Sequence, residues 1–468
     1  MLFVSPVFLF LFLPAVFLIH ALLPMRIRNA FLALASFAFY AWGGLAYAFL
    51  ILVSVLVNYA LGRLLGVVRN PKARKAWLVL AVVYNLGILG FFKYFTFAAG
   101  IVASAVRTFD PGFMLQPPLI PLPIGISFFT FMILSYAVDI YRGHVKDQRN
   151  FTDLALYILL FPHLIAGPIV RYADIQDRIA ERRITAAGVA AGVERFLLGF
   201  AKKLIVADAM ARIAGFFFDS PVNLSTPGAW LGALAYALQI YFDFSAYSDM
   251  AIGLAKMFGF DFRENFDHPY AAASVQEFWR RWHISLSSWF RDYLYIPLGG
   301  NRKGAARTYL NLLVVFFATG LWHGASWNFV LWGLFHGAFL ILERAGLSNL
   351  LRRLPRAVGH VYTLFAVVVG WVLFRTKDLP AAGAYLKAMF VPTFAHASRA
   401  LLVLDGEAFL LLAAGILFSL PLRKAVQEAA ARRGPTLALY RAGVFALFLV
   451  AVLYMTGSKF NPFIYFVF

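Results

Sequence analysis

A histidine stands in Leu321-Trp322-His323-Gly324-Ala325, between two apolar runs at roughly 306–320 and 329–342, each most of a bilayer in length. An ionisable group at that depth is expensive and is usually retained for function. Imidazole titrates where a general base works, so the chemistry on offer is proton removal from a hydroxyl, or proton carriage in a transporter. A second histidine, His283, lies in a segment dense in aromatic and basic residues. There Trp279, Trp282, Leu286, Trp289 and Phe290 recur at helical spacing, and Arg280, Arg281, Arg291 and Asp292 supply a polar face. An interfacial helix with tryptophan at headgroup depth and arginine on phosphate accounts for that pattern but not for His283. A third polar patch, Asp243, Ser245, Tyr247, Ser248 and Asp249, interrupts the run 228–257. Buried carboxylates need partners, and Arg280, Arg281, Arg291, Lys202 and Lys203 are the available cations. Such pairs either tie helices together or line a passage. His163 sits among Pro162, Gly167 and Pro168, as either a structural residue or part of a tunnel mouth. His336 follows His323 by 13 residues, roughly 20 Å on one straight helix. That is too far to share a proton, so a packing role is expected.

The elements that must hold these residues are membrane helices. Of 468 residues, 62% are hydrophobic and only 14% charged, against about half and a quarter in soluble domains. The fold class is therefore an all-α polytopic membrane protein. The first apolar run, Leu2 to Leu23, has no basic n-region and no small-residue cleavage site, so it reads as a retained helix rather than a signal peptide. No cysteine is present, which excludes disulfides, thiolate nucleophiles and cysteine metal sites. The formal charge of +20 comes from short basic clusters between apolar runs. That is the pattern of cytoplasmic loops facing anionic lipid, and it points to no nucleic acid.

Clusters at Arg26/Arg28, Arg69–Lys75, Arg142–Arg149, Arg302–Arg307, Arg344–Arg356 and Arg423–Arg433 are expected inside. Connections at Gly43-Gly44, Asp110–Gln116 and Asp219–Thr226 are poor in Lys and Arg and are expected outside. Threading from an outer N-terminus gives spans near 2–23, 29–43, 46–66, 77–105, 122–141, 186–206 and 228–257. The His323 pair of runs and spans near 357–374, 400–420 and 437–457 complete the set, with both termini outside. Segment 151–170, flanked by basic residues and broken by proline, fits a re-entrant or interfacial element better than a span. No long-period repeat and no soluble domain is visible. Trp322-His323-Gly324-Ala325 and Phe335-His336-Gly337-Ala338 form a local echo of small-residue packing sites.

The motifs carry a resemblance. Trp282-His283-Ile284-Ser285-Leu286-Ser287-Ser288-Trp289-Phe290-Arg291-Asp292-Tyr293-Leu294, followed by Leu321-Trp322-His323-Gly324, is similar to the membrane-bound O-acyltransferase (MBOAT) family, in particular its members that acetylate alginate. Pro123-Ile124-Gly125-Ile126-Ser127-Phe128-Phe129, Phe161-Pro162-His163-Leu164-Ile165-Ala166-Gly167-Pro168 and Gln239-Ile240-Tyr241-Phe242-Asp243-Phe244-Ser245 extend it over most of the chain. The resemblance implies one domain over 1–468: N-terminal helices 1–150, a catalytic core 151–345, and C-terminal helices with a tail 346–468. It implies a bundle of about 10–12 transmembrane helices, with re-entrant and interfacial pieces, around a central tunnel. His323 matches the family's catalytic histidine, and His283 its second signature position. Trp282, Trp322, Arg280, Arg281, Arg291, Asp243, Ser245, Asp249 and His163 become candidates for lining the tunnel or binding the donor. The ending Phe463-Ile464-Tyr465-Phe466-Val467-Phe468 resembles the tail of acyl-exporting members, in which the tyrosine is an acyl relay. By composition alone it is an interfacial aromatic anchor.

The implied activity is O-acetylation of an exopolysaccharide at the bacterial inner membrane. Acetyl-CoA is the expected donor substrate, with no bound cofactor and no metal. A periplasmic SGNH-type acetyltransferase is the implied partner, and a polysaccharide the final acceptor. A thioester is already activated, so a base and a held geometry suffice without a covalent enzyme nucleophile. Transfer to peptidoglycan, or of D-alanine to teichoic acid, stays open. From another class, a transporter would use the same intramembrane Asp and His, but the inverted repeats typical of one are not visible. An inert export scaffold would not need His283 and His323.

Overall fold

The computed structural model describes residues 1–114, 117–219, 224–422, 434–457 and 462–464; every regular element among them is helical. Tyr465 and the basic loop Arg423–Arg433 lie outside the described residues. The protein is an all-α polytopic membrane protein. Among the described residues, six helices are long and apolar enough to cross a bilayer: Leu45–Val67, Pro71–Phe109, Gly304–His323, Trp327–Leu351, Arg356–Arg375 and Pro435–Gly457. Phe8–Leu22 and Gly406–Phe418 are shorter apolar helices. The runs expected near 29–43, 122–141 and 228–257 are helical as Met25–Ala41, Ile126–Arg142 and Thr226–Met257. The run at 186–206 is not one continuous α-helix. Ala186–Ala201 passes through a π-helical segment, Lys202–Ala207, into Asp208–Phe218.

The chain divides into two compact units. The first comprises Met1–Gly192 and Leu254–Arg263. Its longest helix, Pro71–Phe109, starts where the Asn70 side chain accepts the backbone N–H groups of Lys72 and Ala73. Proline at its first position cannot donate and so leaves no orphan there. Asn85 of this helix and Asn58 of Leu45–Val67 exchange two hydrogen bonds, 3.0 and 2.7 Å, both side chains buried. Paired amides join apolar helices where hydrophobicity alone gives no preference over lipid. Segment 151–170 consists of two short helices, Phe151–Leu159 and Phe161–Leu164, followed by irregular chain, and residues 154–170 are all buried. Two short helices joined by a break do not form one continuous span, which fits the expected re-entrant or interfacial element. Gly125, at φ +78°, lies against its backbone: a Cβ there would come 2.5 Å from the Leu164 carbonyl oxygen.

The second unit comprises Val193–Gly253 and Glu264–Phe468. Its centre is a hairpin of Gly304–His323 and Trp327–Leu342, joined by Gly324-Ala325-Ser326. Gly320 and Gly333 set the close approach. A Cβ on Gly320 would fall on the Phe329 carbonyl oxygen, and one on Gly333 on the Phe316 carbonyl oxygen. Small residues thus let two membrane helices touch backbone to backbone. Arg356–Arg375 packs beside the hairpin, where Gly370 faces the His336 ring. Two short helices, Val275–Arg281 and Ile284–Phe290, precede the hairpin and carry the aromatic and arginine-rich motif.

Candidate active site

His323 is the last residue of its helix and is buried where the hairpin turns. The rings of Trp322, Trp332 and Phe374 stand 5.0, 5.0 and 5.2 Å from its own, all near perpendicular. Edge-to-face packing of this kind holds an imidazole at a fixed angle.

His283 owes its place to backbone strain and to one asparagine. It caps Ile284–Phe290 from a left-handed conformation, φ 43° and ψ 54°. A non-glycine residue there costs on the order of 1–3 kcal/mol, and such strain clusters at functional sites. Asn265 is fully buried and organises the turn. Its Oδ1 accepts the Ser285 backbone N–H (3.2 Å) and the Ser285 hydroxyl (2.8 Å), and lies 3.1 Å from His283 Nδ1. Its Nδ2 donates to Ser248 Oγ at 3.0 Å. A backbone N–H can only donate, so the atom it meets must be the amide oxygen. His283 Nδ1 therefore carries the proton, and Nε2 is the basic nitrogen. Burial pushes the His283 pKa down to about 3, so the ring is neutral at physiological pH. The indole of Trp322 lies between the two histidines, 5.9 Å from the His283 ring and 5.0 Å from that of His323. Trp282 packs in the same aromatic cluster, its ring 4.9 Å from Trp371 and tilted by 48°.

A cavity of about 560 Å³ opens beside the hairpin. Arg280, Arg291, Arg344 and Arg352 line it, and Trp279, Phe316 and Thr319 line it too. Thr319 is four residues before His323, about one helical turn away. Among the described lining residues the one carboxylate is Glu343. Glu343 accepts the backbone N–H groups of Val275 (2.6 Å) and Gln276 (3.0 Å), at the start of Val275–Arg281. Arg291 is paired with Asp292 at 2.6 Å, so Arg280, Arg344 and Arg352 outweigh Glu343 and leave the wall positive. Arg281 is not in that wall: it pairs with Glu277 at 2.8 Å.

The carboxylates of the 226–257 helix find partners, but not the arginines considered from sequence. Asp249 meets Arg195 at 2.8 Å and Lys202 at 2.6 Å. Asp243 meets Lys203 at 2.6 Å. Arg280, Arg281 and Arg291 serve the cavity wall or local pairs instead. The π-helical segment Lys202–Ala207 widens the turn here. Lys202 and Lys203, though consecutive, each reach a carboxylate. Ser245, one turn from Asp249, is buried, and its hydroxyl makes no hydrogen bond among the described residues.

His163, in the first unit, is fully buried and bonded through Nε2 to the Tyr157 carbonyl at 2.8 Å. It stacks on Phe262 at 5.1 Å. Burial lowers its pKa to about 4. A carbonyl only accepts, so this nitrogen holds the proton, and the contacts are those of a structural residue. For His336 the straight-helix distance is replaced by a shorter one. The chain reverses after His323, and both imidazoles touch Trp332, at 5.0 and 5.2 Å. Neither His336 nitrogen has a hydrogen-bond partner among the described residues. Among those residues no group of three or more His, Asp or Glu could hold a metal ion.

Asn265 and the Trp332–Phe374 wall were not singled out from sequence. Asn265 precedes His283 by 18 residues, outside any local periodicity, so no spacing marks it.

The family model of membrane-bound O-acyltransferases (MBOAT) matches residues 141–375, which include both histidines and the arginine-rich motif. A probable alginate O-acetylase, AlgI, of Azotobacter vinelandii is 42% identical over 506 aligned positions covering 100% of both chains. The protein of the same name from Pseudomonas aeruginosa is 45% identical over 83% of this chain and 75% of its own. The peptidoglycan O-acetyltransferase of Helicobacter pylori is 36% identical over 83% of this chain and 80% of its own. With two buried histidines on one indole beside an arginine-walled cavity, and with these matches across its length, the chain belongs to the membrane-bound O-acyltransferase family and is an acyltransferase.

Proposed function

We propose that the protein takes acetyl from cytoplasmic acetyl-CoA and passes it across the bacterial inner membrane for O-acetylation of an exopolysaccharide such as alginate. The observation that carries this reading is the cavity. It joins four arginines, suited to the phosphates of a nucleotide thioester, to Thr319, one turn from His323. The similarity to the probable alginate O-acetylases of A. vinelandii and P. aeruginosa supports alginate as the acceptor class.

The chemistry needs few parts. The acceptor hydroxyl attacks the thioester carbonyl carbon, and His323 takes its proton. The C–S bond breaks, and the imidazolium returns that proton to the leaving thiolate. His283 offers Nε2 to the same region, because Nδ1 is committed to Asn265. The aromatic walls exclude water, which would otherwise hydrolyse the thioester. Tyr465 is the first acceptor: a phenolic ester leaves more readily than an alkyl ester, so acetyl can be handed on. The charge pattern of the loops favours an outer location for the C-terminus. A periplasmic SGNH-type acetyltransferase then moves acetyl to the polysaccharide.

The test is mass spectrometry of the C-terminal peptide after the purified protein meets acetyl-CoA, with His323→Ala beside it. Acetyl on Tyr465 in the wild type and none in the variant is expected. An unmodified peptide with CoA still released would remove Tyr465 from the path. No CoA release from either protein, in the presence of acceptor polysaccharide and partner, would refute acetyl-CoA as donor.

A further inference from the structure

Three consecutive residues of the C-terminal segment touch one buried ion pair. The Ile464 backbone N–H donates to Asp243 Oδ2 at 2.7 Å, while Asp243 Oδ1 takes Lys203 at 2.6 Å. Lys203 Nζ also meets Asp208 Oδ1 at 2.9 Å and the Pro462 carbonyl oxygen at 3.5 Å. The same ammonium lies 4.8 Å from the centre of the Phe463 ring. That ring stands perpendicular to Tyr247 at 5.0 Å and is 1% exposed. Lys203 itself is 1% exposed.

An ion pair that only joined helices would use Asp243 and Lys203 on each other. Here each gives a hydrogen-bonding atom to the backbone of residues 462–464. Backbone contacts read register rather than side-chain identity. A slip of one residue would move everything beyond by about 3.3–3.6 Å. We infer that Asp243 and Lys203 are positioning residues: they form a seat that pins the chain at Ile464 and so sets where Tyr465 is presented. The geometry of the seat stands alone; its catalytic consequence rests on the relay reading above.

Asp243→Asn is the sharp perturbation. An amide offers one oxygen where the seat needs two acceptors, so its NH₂ must face either the Ile464 N–H or the Lys203 ammonium. Phe463→Ala is the second variant, because it leaves Asp243, Lys203 and Asp208 intact. In both, hydrogen exchange of the peptide containing 462–468 should accelerate by about tenfold or more, as expected when a charge-assisted hydrogen bond or its packing is lost. Tyr465 acetylation from acetyl-CoA should fall by about the same factor, while acetyl-CoA affinity of the folded full-length protein is retained. If Asp243→Asn does not fold, Phe463→Ala decides alone. Unchanged exchange in Phe463→Ala, or in both variants, would overturn the seat. Faster exchange with undiminished acetylation would overturn the positioning role. Faster exchange with no acetyl on Tyr465 in the wild type would support the seat and sink the relay reading instead.

Discussion

Replacing Asn265 with alanine tests the least visible part of the site. Its Oδ1 serves the Ser285 N–H, the Ser285 hydroxyl and His283 Nδ1, and its Nδ2 serves Ser248. Asn265→Ala leaves the Ser285 N–H and the His283 Nδ1–H without their shared acceptor in a buried turn. A buried donor stranded in this way costs about 1–3 kcal/mol. Two that share one acceptor are not additive, so a stability loss of about 2–4 kcal/mol is expected. The effect on rate is separate. The imidazole loses the bond that fixes which nitrogen is basic and how the ring is turned. Removing an outer-shell orienting partner costs about 10–100-fold, equal to about 1.4–2.7 kcal/mol of barrier. The assay is CoA release from acetyl-CoA under saturating donor, with the thermal midpoint measured alongside. The loss should fall on kcat and leave KM for acetyl-CoA near wild type, because the arginine wall is untouched. Wild-type kcat in a folded Asn265→Ala protein, while His283→Ala is inactive, would refute the orienting role. A raised KM with kcat intact would place Asn265 in donor binding instead.

Other expectations follow from the same geometry. Gly333→Ala drives a methyl onto the Phe316 carbonyl oxygen and should destabilise the hairpin by about 3 kcal/mol or more; a thermal midpoint within a degree of wild type would show that the helices can part freely. Arg344→Gln with Arg352→Gln should raise KM for acetyl-CoA about tenfold at low salt and less at high salt, with kcat retained; titrating donor at two ionic strengths checks it, and an unchanged KM would move the phosphates out of this cavity. The His283 pKa is depressed to about 3 in the folded protein. The unfolded chain therefore takes up a proton near pH 6.5 that the folded one refuses, and stability is lost as pH falls below about 6.5, by up to about 1.4 kcal/mol per unit. His283→Gln should flatten the fall in thermal midpoint between pH 7 and pH 5, and an identical slope in the variant would contradict a neutral, buried His283.

The membrane class, the helical runs and the two histidine-bearing motifs were legible in the sequence. Each is a local signal: hydropathy over a window, or residue types at fixed short spacing, reports what one helix must do. The expectation of a re-entrant or interfacial element over 151–170 came from Pro162, Gly167-Pro168 and the flanking basic residues, and the chain there is broken into the short buried helices Phe151–Leu159 and Phe161–Leu164 rather than one span. The sequence also required that Asp243 and Asp249 have cationic partners, because a lone carboxylate in lipid is too costly. Which cations those are is a question of tertiary structure. The π-helical turn at Lys202–Ala207 brings Lys202 and Lys203 to the two aspartates, while Arg280 and Arg291 turn to the cavity. The same holds for Asn265, 18 residues before the histidine it orients, and for His336, brought to the indole that also touches His323 because the chain reverses at Gly324. Ile464 and Asp243, 221 residues apart, meet at one hydrogen bond. Composition and periodicity specify the environment each side chain must occupy; only the folded chain, by closing loops of that length, determines which groups share it.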